Sequence, residues 1–161
     1  MKIQNVITEP FTLHHVQVQS KKSLFTLVAE HVVERMPEVD AHELYKNLMS
    51  REKLGSTALG GGVAIPHCRV SGLTRPIGML ITLEKPVDFD AIDNQWVNLI
   101  FILIAPLHEH EQHLGLLRDI AVLLSHTSHH QYLTTAQSTP DLHMRFQSLE
   151  IKTESYSPVT A

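Results

Sequence analysis

The residue best placed to do chemistry in this chain is His67, near the end of the segment REKLGSTALGGGVAIPHCRV that runs from Arg51 to Val70. A glycine-rich turn and a short apolar run lead into it, and Pro66 stiffens the backbone just before it, so an imidazole is offered to solvent from a rigid support. Taken alone, such a histidine is either a reactive nitrogen base or a turn or helix-cap residue. Gly60, Gly61 and Gly62 can adopt positive φ and aim backbone N–H groups at an anion. The triplet is neither a P-loop, which ends in Lys-Ser or Lys-Thr, nor a dinucleotide fingerprint, and nucleotide binding is therefore disfavoured. Arg51 stays charged at all relevant pH and can donate two parallel hydrogen bonds to phosphate oxygens; at a helix end it could equally complement the helix dipole.

Other clusters carry weaker signals. His108, His110 and His113 form an H-x-H-x-x-H pattern that could bind zinc or nickel, or could be a solvated helix start rich in histidine; no metal is assigned. Asp88, Asp90 and Asp93 lack the glycine and terminal glutamate of an EF-hand and read as turn residues or partner contacts. The one cysteine, Cys68, cannot form an internal disulfide, which fits a reducing cytoplasm.

The elements that must position these groups are legible in the apolar pattern. Ser20 reads as the N-cap of a helix with Leu24, Val28, Val32 and Met36 on one stripe, widened by Leu27. Asp40 opens a second helix, with Glu43 three residues on as in a capping box, Leu44 and Leu48 inward, and an end near Arg51. Strands are expected at His15–Val18, Val63–Pro66, Ile77–Leu83 and Val97–Ile104. The last of these is apolar throughout and therefore central in a covered sheet. Residues 86–95 read as a loop. A third helix from about Glu109 to Ser125 should bury Leu114, Leu117, Ala121 and Leu124, and a last one, capped at Thr139 with Pro140 following, carries Leu142, Phe146 and Leu149. The pattern gives an α/β (α+β) class: a single domain over residues 5–150 with a mixed central sheet flanked by helices, followed by a polar, mobile tail over residues 151–161.

Composition narrows the function. With 161 residues, 43% hydrophobic and 19% charged, the chain can bury a substantial core. A formal net charge of −4 argues against broad nucleic-acid binding, and a protein partner or small anion fits better. No apolar run approaches the roughly 20 residues of a membrane span, and the first residues lack the pattern of a signal peptide, so a cytoplasmic protein with no membrane insertion is expected. Twelve histidines should make the charge swing between mildly acid and neutral pH.

Taken together, the Gln17–Ser20 segment with its two following lysines, REKLGST, AIPH, FDAIDNQ at Phe89–Gln95 and the HL-x-x-L pattern at His113 resemble the enzyme IIA components of the bacterial phosphoenolpyruvate-dependent phosphotransferase system. The likeness is to the fructose/mannitol class (type-2 domain), and especially to its nitrogen-regulatory branch. It implies that His67 carries a phosphoryl group, received from a histidine-containing phosphocarrier protein. It also implies that Arg51 stabilises the phosphoryl charge and that His113 orients His67 or hydrogen-bonds the phosphoryl oxygens. In this setting Gly60, Gly61 and Gly62 would cradle the phosphate. His108 and His110 have no family counterpart. No cofactor is implied, nor any stand-alone turnover of a small molecule. The implied output is regulatory, through partners such as sensor kinases or potassium transporters that bind according to phosphorylation state. The alternatives are a sugar-specific IIA that hands phosphate to a separate IIB subunit and a non-phosphorylated binding or metal-sensing module. Three positions depart from the family pattern: Cys68 stands where glycine usually follows the histidine, Gly61 where asparagine is common and Trp96 where proline is common.

Overall fold

The computed structural model describes residues 3–108 and 110–149, apart from the side chains of His110 and Gln112. The ends expected for the domain at residue 150 and for the tail at 151–161, and the expected helix start at Glu109, lie outside the described residues. Two short 3-10 turns, Ile3–Asn5 and Glu9–Phe11, precede β1 (Thr12–Val16). Then come α1 (Lys21–Arg35), α2 (Ala41–Leu54), β2 (Ala58–Gly60), β3 (Val63–Ala64), β4 (His67–Val70), β5 (Ile77–Val87) and β6 (Val97–Pro106). Three helices follow: α3 (His110–Leu124), α4 (Thr127–Thr134) and α5 (Thr139–Ser148).

The sheet is mixed, in the order β1-β5-β6-β3-β2, with β4 also paired to β6. β5 and β6 run antiparallel, β1 is parallel to β5, and β3 and β4 lie one after the other in parallel along the far side of β6. β6 is central, and its run from Leu99 to Ala105 is completely buried, because helices cover both faces. Alternation splits that run in two. Ile100, Ile102 and Ile104 join Leu24, Phe25, Val28 and Leu48 of α1 and α2 in one core. Leu99, Phe101 and Leu103 join Leu116, Ile120 and Phe146 of α3 and α5 in the other. Each fully buried Leu or Phe contributes on the order of 1.5–3 kcal/mol, so each helix face is held by several such side chains.

Several elements differ from their expected form. β1 begins three residues earlier than His15, because Thr12 and Leu13 are the residues that pair with Leu80 and Ile81. Ser20 caps α1 in a reciprocal box with Ser23. Asp40 accepts from the Glu43 N–H as expected, but the Glu43 carboxylate turns away to Ser71. The inward stripe of α3 is rotated from the expected one: Leu116, Ile120, Leu123 and Leu124 are buried, Leu117 and Ala121 are half-buried, and Leu114 is 65% exposed. The cap of α5 is Ser138 rather than Thr139. Among the described residues no helix is long and apolar enough to cross a membrane.

Candidate functional site

Helix α2 and strand β4 build the site through a matched ladder. Glu43, Asn47 and Arg51 recur every four residues, so they line one face of α2, about 6 Å apart along the axis. Ser71, Arg69 and His67 recur every two residues along β4 and its end, about 6.6 Å apart. The two series run in opposite directions and meet rung by rung. The Glu43 carboxylate accepts from the Ser71 N–H at 2.6 Å, the Asn47 amide donates to the Arg69 carbonyl at 2.8 Å, and Arg51 Nε donates to His67 Nε2 at 3.2 Å. The outer edge of β4, which among the described residues no other strand pairs, is thereby covered by polar side chains. Asn47 and Glu43 were not legible as site residues; their four-residue spacing ahead of Arg51 was the signal that could have found them.

The same geometry fixes the protonation of His67. Its Nδ1 lies 2.9 Å from the Ile65 carbonyl, which can only accept, so Nδ1 carries the hydrogen. Nε2 accepts from the Arg51 guanidinium and therefore presents its lone pair. Burial pushes the His67 pKa below the usual histidine value and the Arg51 charge pushes the same way, while the Ile65 carbonyl and the Glu52 charge oppose them. The result is a half-buried, neutral imidazole with a nucleophilic Nε2 against a cation. His113, from the first turn of α3, is buried, and its ring stands edge-on to that of His67 with centroids 5.6 Å apart. It shares the buried stripe of Leu116, Ile120 and Leu123, three, seven and ten positions on.

An open cleft of about 810 Å³ lies over these groups, with Arg51, His67 and His113 on its floor and Leu54, Leu107 and Leu114 on its rim. The rim leucines are 85%, 43% and 65% exposed, an apolar surround for a charged centre. A smaller hollow of about 220 Å³, which also touches Arg51 and His67, is lined by Ser56, Thr57 and Leu59.

The structure brings His67, Arg51 and His113 together but not the three glycines. Gly60, Gly61 and Gly62 do take positive φ, of 89°, 65° and 82°, and they form the turn between β2 and β3. That turn sits against the start of β6: the Gly62 carbonyl accepts from Asn98 and Leu99, whereas His67 pairs with Leu103. Four residues of strand separate Leu99 from Leu103, about 13 Å. The Gly61 N–H is already donated to the Asp93 carboxylate at 2.8 Å. The expected glycine cradle is therefore corrected: these amides shape the hairpin and hold the Asp93 loop, and they are too far from His67 to bind a group on its Nε2.

Cys68 borders the same cleft, but its side chain is buried. Strand alternation turns it to the opposite face, into the core with Ala64 and Ile104, and burial pushes its pKa up to about 12, with the charge of Glu43 adding to the rise. Alkylation at pH 8 should be about 10³-fold slower in the folded protein than in urea, since the thiolate is the reacting form; equal rates would place the thiol on the surface. Of the histidine pattern, His113 is buried and His108 exposed, and among the described residues no group of three or more His, Cys, Asp or Glu side chains is arranged to hold a metal ion.

Comparison with known proteins follows the same lines. Residues 5–148 match the family described as "Phosphoenolpyruvate-dependent sugar phosphotransferase system, EIIA 2". A protein named nitrogen regulatory protein in Pseudomonas aeruginosa is 41% identical over 143 residues, covering 89% of this chain and 93% of that protein. The protein of the same name in Escherichia coli K12 is 33% identical over 144 residues, covering 89% of this chain and 88% of its own length. The crystal structure of the nitrogen regulatory protein IIA-Ntr from Neisseria meningitidis superposes with a TM-score of 0.82 at 34% identity, covering 89% of this chain and 97% of that one. IIA mannitol from Escherichia coli, at 16% identity and a TM-score of 0.71 over 86% of this chain and 97% of that one, shares the fold.

Proposed function

This chain belongs to the EIIA 2 family of the phosphoenolpyruvate-dependent sugar phosphotransferase system, and from that premise we propose that it is a phosphocarrier which accepts a phosphoryl group on Nε2 of His67. The observation that carries the reading is the unprotonated Nε2, held at 3.2 Å from the Arg51 guanidinium on the floor of an open cleft. The donor is a histidine-containing phosphocarrier protein. Its P–N bond breaks as Nε2 of His67 attacks phosphorus in line, and the donor imidazole leaves with the electron pair of that bond. Nδ1 keeps its proton, which it donates to the Ile65 carbonyl, so the ring becomes cationic as the dianionic group arrives. Arg51 turns its donors from the ring nitrogen to the phosphoryl oxygens, and His113 approaches the same oxygens from the other side. The exposed leucines of the rim give a protein donor an apolar seat around the reacting nitrogen, which an open cleft suits better than it suits a small molecule.

The output in this reading is regulatory. Relatives named nitrogen regulatory protein support a role in nitrogen-related control. The targets would be proteins such as sensor kinases or potassium transporters that bind one phosphorylation state of His67. The test is to incubate the purified protein with phosphoenolpyruvate, enzyme I and the carrier protein and to map the product. An acid-labile, base-stable phosphoryl group on the peptide containing His67 is expected. Its absence, with the carrier demonstrably phosphorylated, would reject the reading. Rapid onward transfer to a purified IIB subunit would instead favour a sugar-specific IIA.

A further inference from the structure

Glu52 is the only buried carboxylate among the described residues, and the phosphotransfer reading assigns it nothing. A buried carboxylate is costly unless it is paired and hydrogen-bonded, and Glu52 is both. Lys21 Nζ, at the start of α1, lies 3.0 Å from its Oε1, the Thr57 hydroxyl donates to Oε2 at 2.7 Å, and the Thr57 N–H donates to Oε1 at 3.2 Å. Lys21 is held in turn by Asp90 at 3.0 Å and sits over the Phe89 ring, 5.2 Å from its centroid. Burial opposes the charge of Lys21, but the hydrogen bonds and charges of Asp90 and Glu52 outweigh it and raise its pKa.

The hydrogen bonds continue beyond Glu52 to the reacting ring. The Thr57 carbonyl accepts from the Ile65 N–H at 3.0 Å, and the Ile65 carbonyl accepts from His67 Nδ1–H at 2.9 Å. On its other side Glu52 follows Arg51 in α2, and Arg51 Nη1 donates to the Gly55 carbonyl within the same turn. Glu52 thus stands where α1, the end of α2, the 55–57 turn and the backbone leading to His67 converge. We propose that Glu52, locked by Lys21, is a positioning residue that acts through Thr57 and Ile65 to hold His67 as the Nδ1–H tautomer while it fixes the helix end that aims Arg51 at Nε2. The link is mechanical, because successive hydrogen bonds run through different peptide groups. Loss of the strut lets the Ile65 carbonyl drift, and a neutral imidazole released from that carbonyl also populates the Nε2–H form, which has no lone pair to attack with.

The inference rests on the phosphocarrier reading for its kinetic consequence but not for its structural one, and the test separates the two. Ring 15N–1H spectra of His67 would be recorded for the wild type, Glu52→Gln, Thr57→Val and Thr57→Ser, along with the rate of His67 phosphorylation at saturating carrier and the KM for the carrier. The wild type and Thr57→Ser, which keeps the hydroxyl, should show the Nδ1–H form. Glu52→Gln and Thr57→Val should show mixed tautomers and a saturated rate about tenfold lower, with KM within about twofold, as expected for lost alignment rather than lost docking. Lower melting temperatures with the Nδ1–H signature and the rate intact would overturn the proposal and leave Glu52 a stability residue. If Glu52→Gln does not fold, the Thr57 pair decides. If the wild type takes up no phosphoryl group, the functional reading fails, and the tautomer spectra still decide the strut.

Discussion

His67→Ala should take up no phosphoryl group from a phosphorylated carrier while it keeps the wild-type fold. Loss of the nucleophile removes the reaction itself, so labelling should fall below detection, at least about 10³-fold. The fold should survive because His67 is held in β4 by backbone pairing to Leu103, which alanine retains. The side chain contributes two hydrogen bonds and an edge contact with His113 at the floor of the cleft, outside both apolar cores. A cost of about 1 kcal/mol is typical of such a truncation. Circular dichroism and a melting curve check the fold, and intact mass after incubation with phosphoenolpyruvate, enzyme I and carrier checks the chemistry. His113, buried in the adjacent helix, has its ring centroid 5.6 Å from that of His67. Phosphoryl uptake that persists in His67→Ala, on His113 or elsewhere, would refute the assignment of the nucleophile.

What the sequence made legible was mostly local. The stripe of α1, its Ser20 cap, the central position of β6 and the placing of His67 at the start of a short strand after the glycine turn follow from periodicity and turn chemistry acting over a few residues. The stripe of α3 was misplaced because that helix is rich in leucine, so neighbouring faces look alike from spacing; contact with β6 selects Leu116, Ile120 and Leu123 and leaves Leu114 to the rim of the cleft. Helix α4 left little signal, since it is eight residues long and buries only Leu133. The glycine turn was read correctly in conformation and wrongly in use. Its distance from His67 depends on which residues of β6 face each end of the 62–67 segment, and that is a matter of register between distant parts of the chain. Glu52 was hidden for a related reason: a charged residue in a helix reads as solvated until the partners that enclose it, Lys21 and Thr57, are seen to come from other elements. The Arg51–His67 pairing spans sixteen residues and was indicated by family resemblance; the helix-strand ladder supplies its physical basis.

Arg51→Ala should lower the rate of His67 phosphorylation by about 10²-fold, the scale of losing one well-placed donor to a charge that develops in the transition state. Arg51→Lys should recover only part of this, because the ammonium is a point charge and cannot reproduce the guanidinium fork that reaches both Nε2 and the Gly55 carbonyl. The same substitution should move the titration of His67. Burial is the larger cause of its lowered pKa and the Arg51 charge adds to it, so removal of the charge moves the pKa up toward the ordinary histidine value, with burial still holding it below. Protonation occupies Nε2 and eliminates the nucleophile. The acid limb of the rate profile should therefore lie below the usual histidine range in the wild type and shift to higher pH in Arg51→Ala. NMR titration of the His67 ring measures that shift without involving the donor, which has a titrating histidine of its own. An unchanged titration with a reduced rate would mean that Arg51 acts only on the phosphoryl oxygens, whereas an unchanged rate would remove Arg51 from the transfer step altogether.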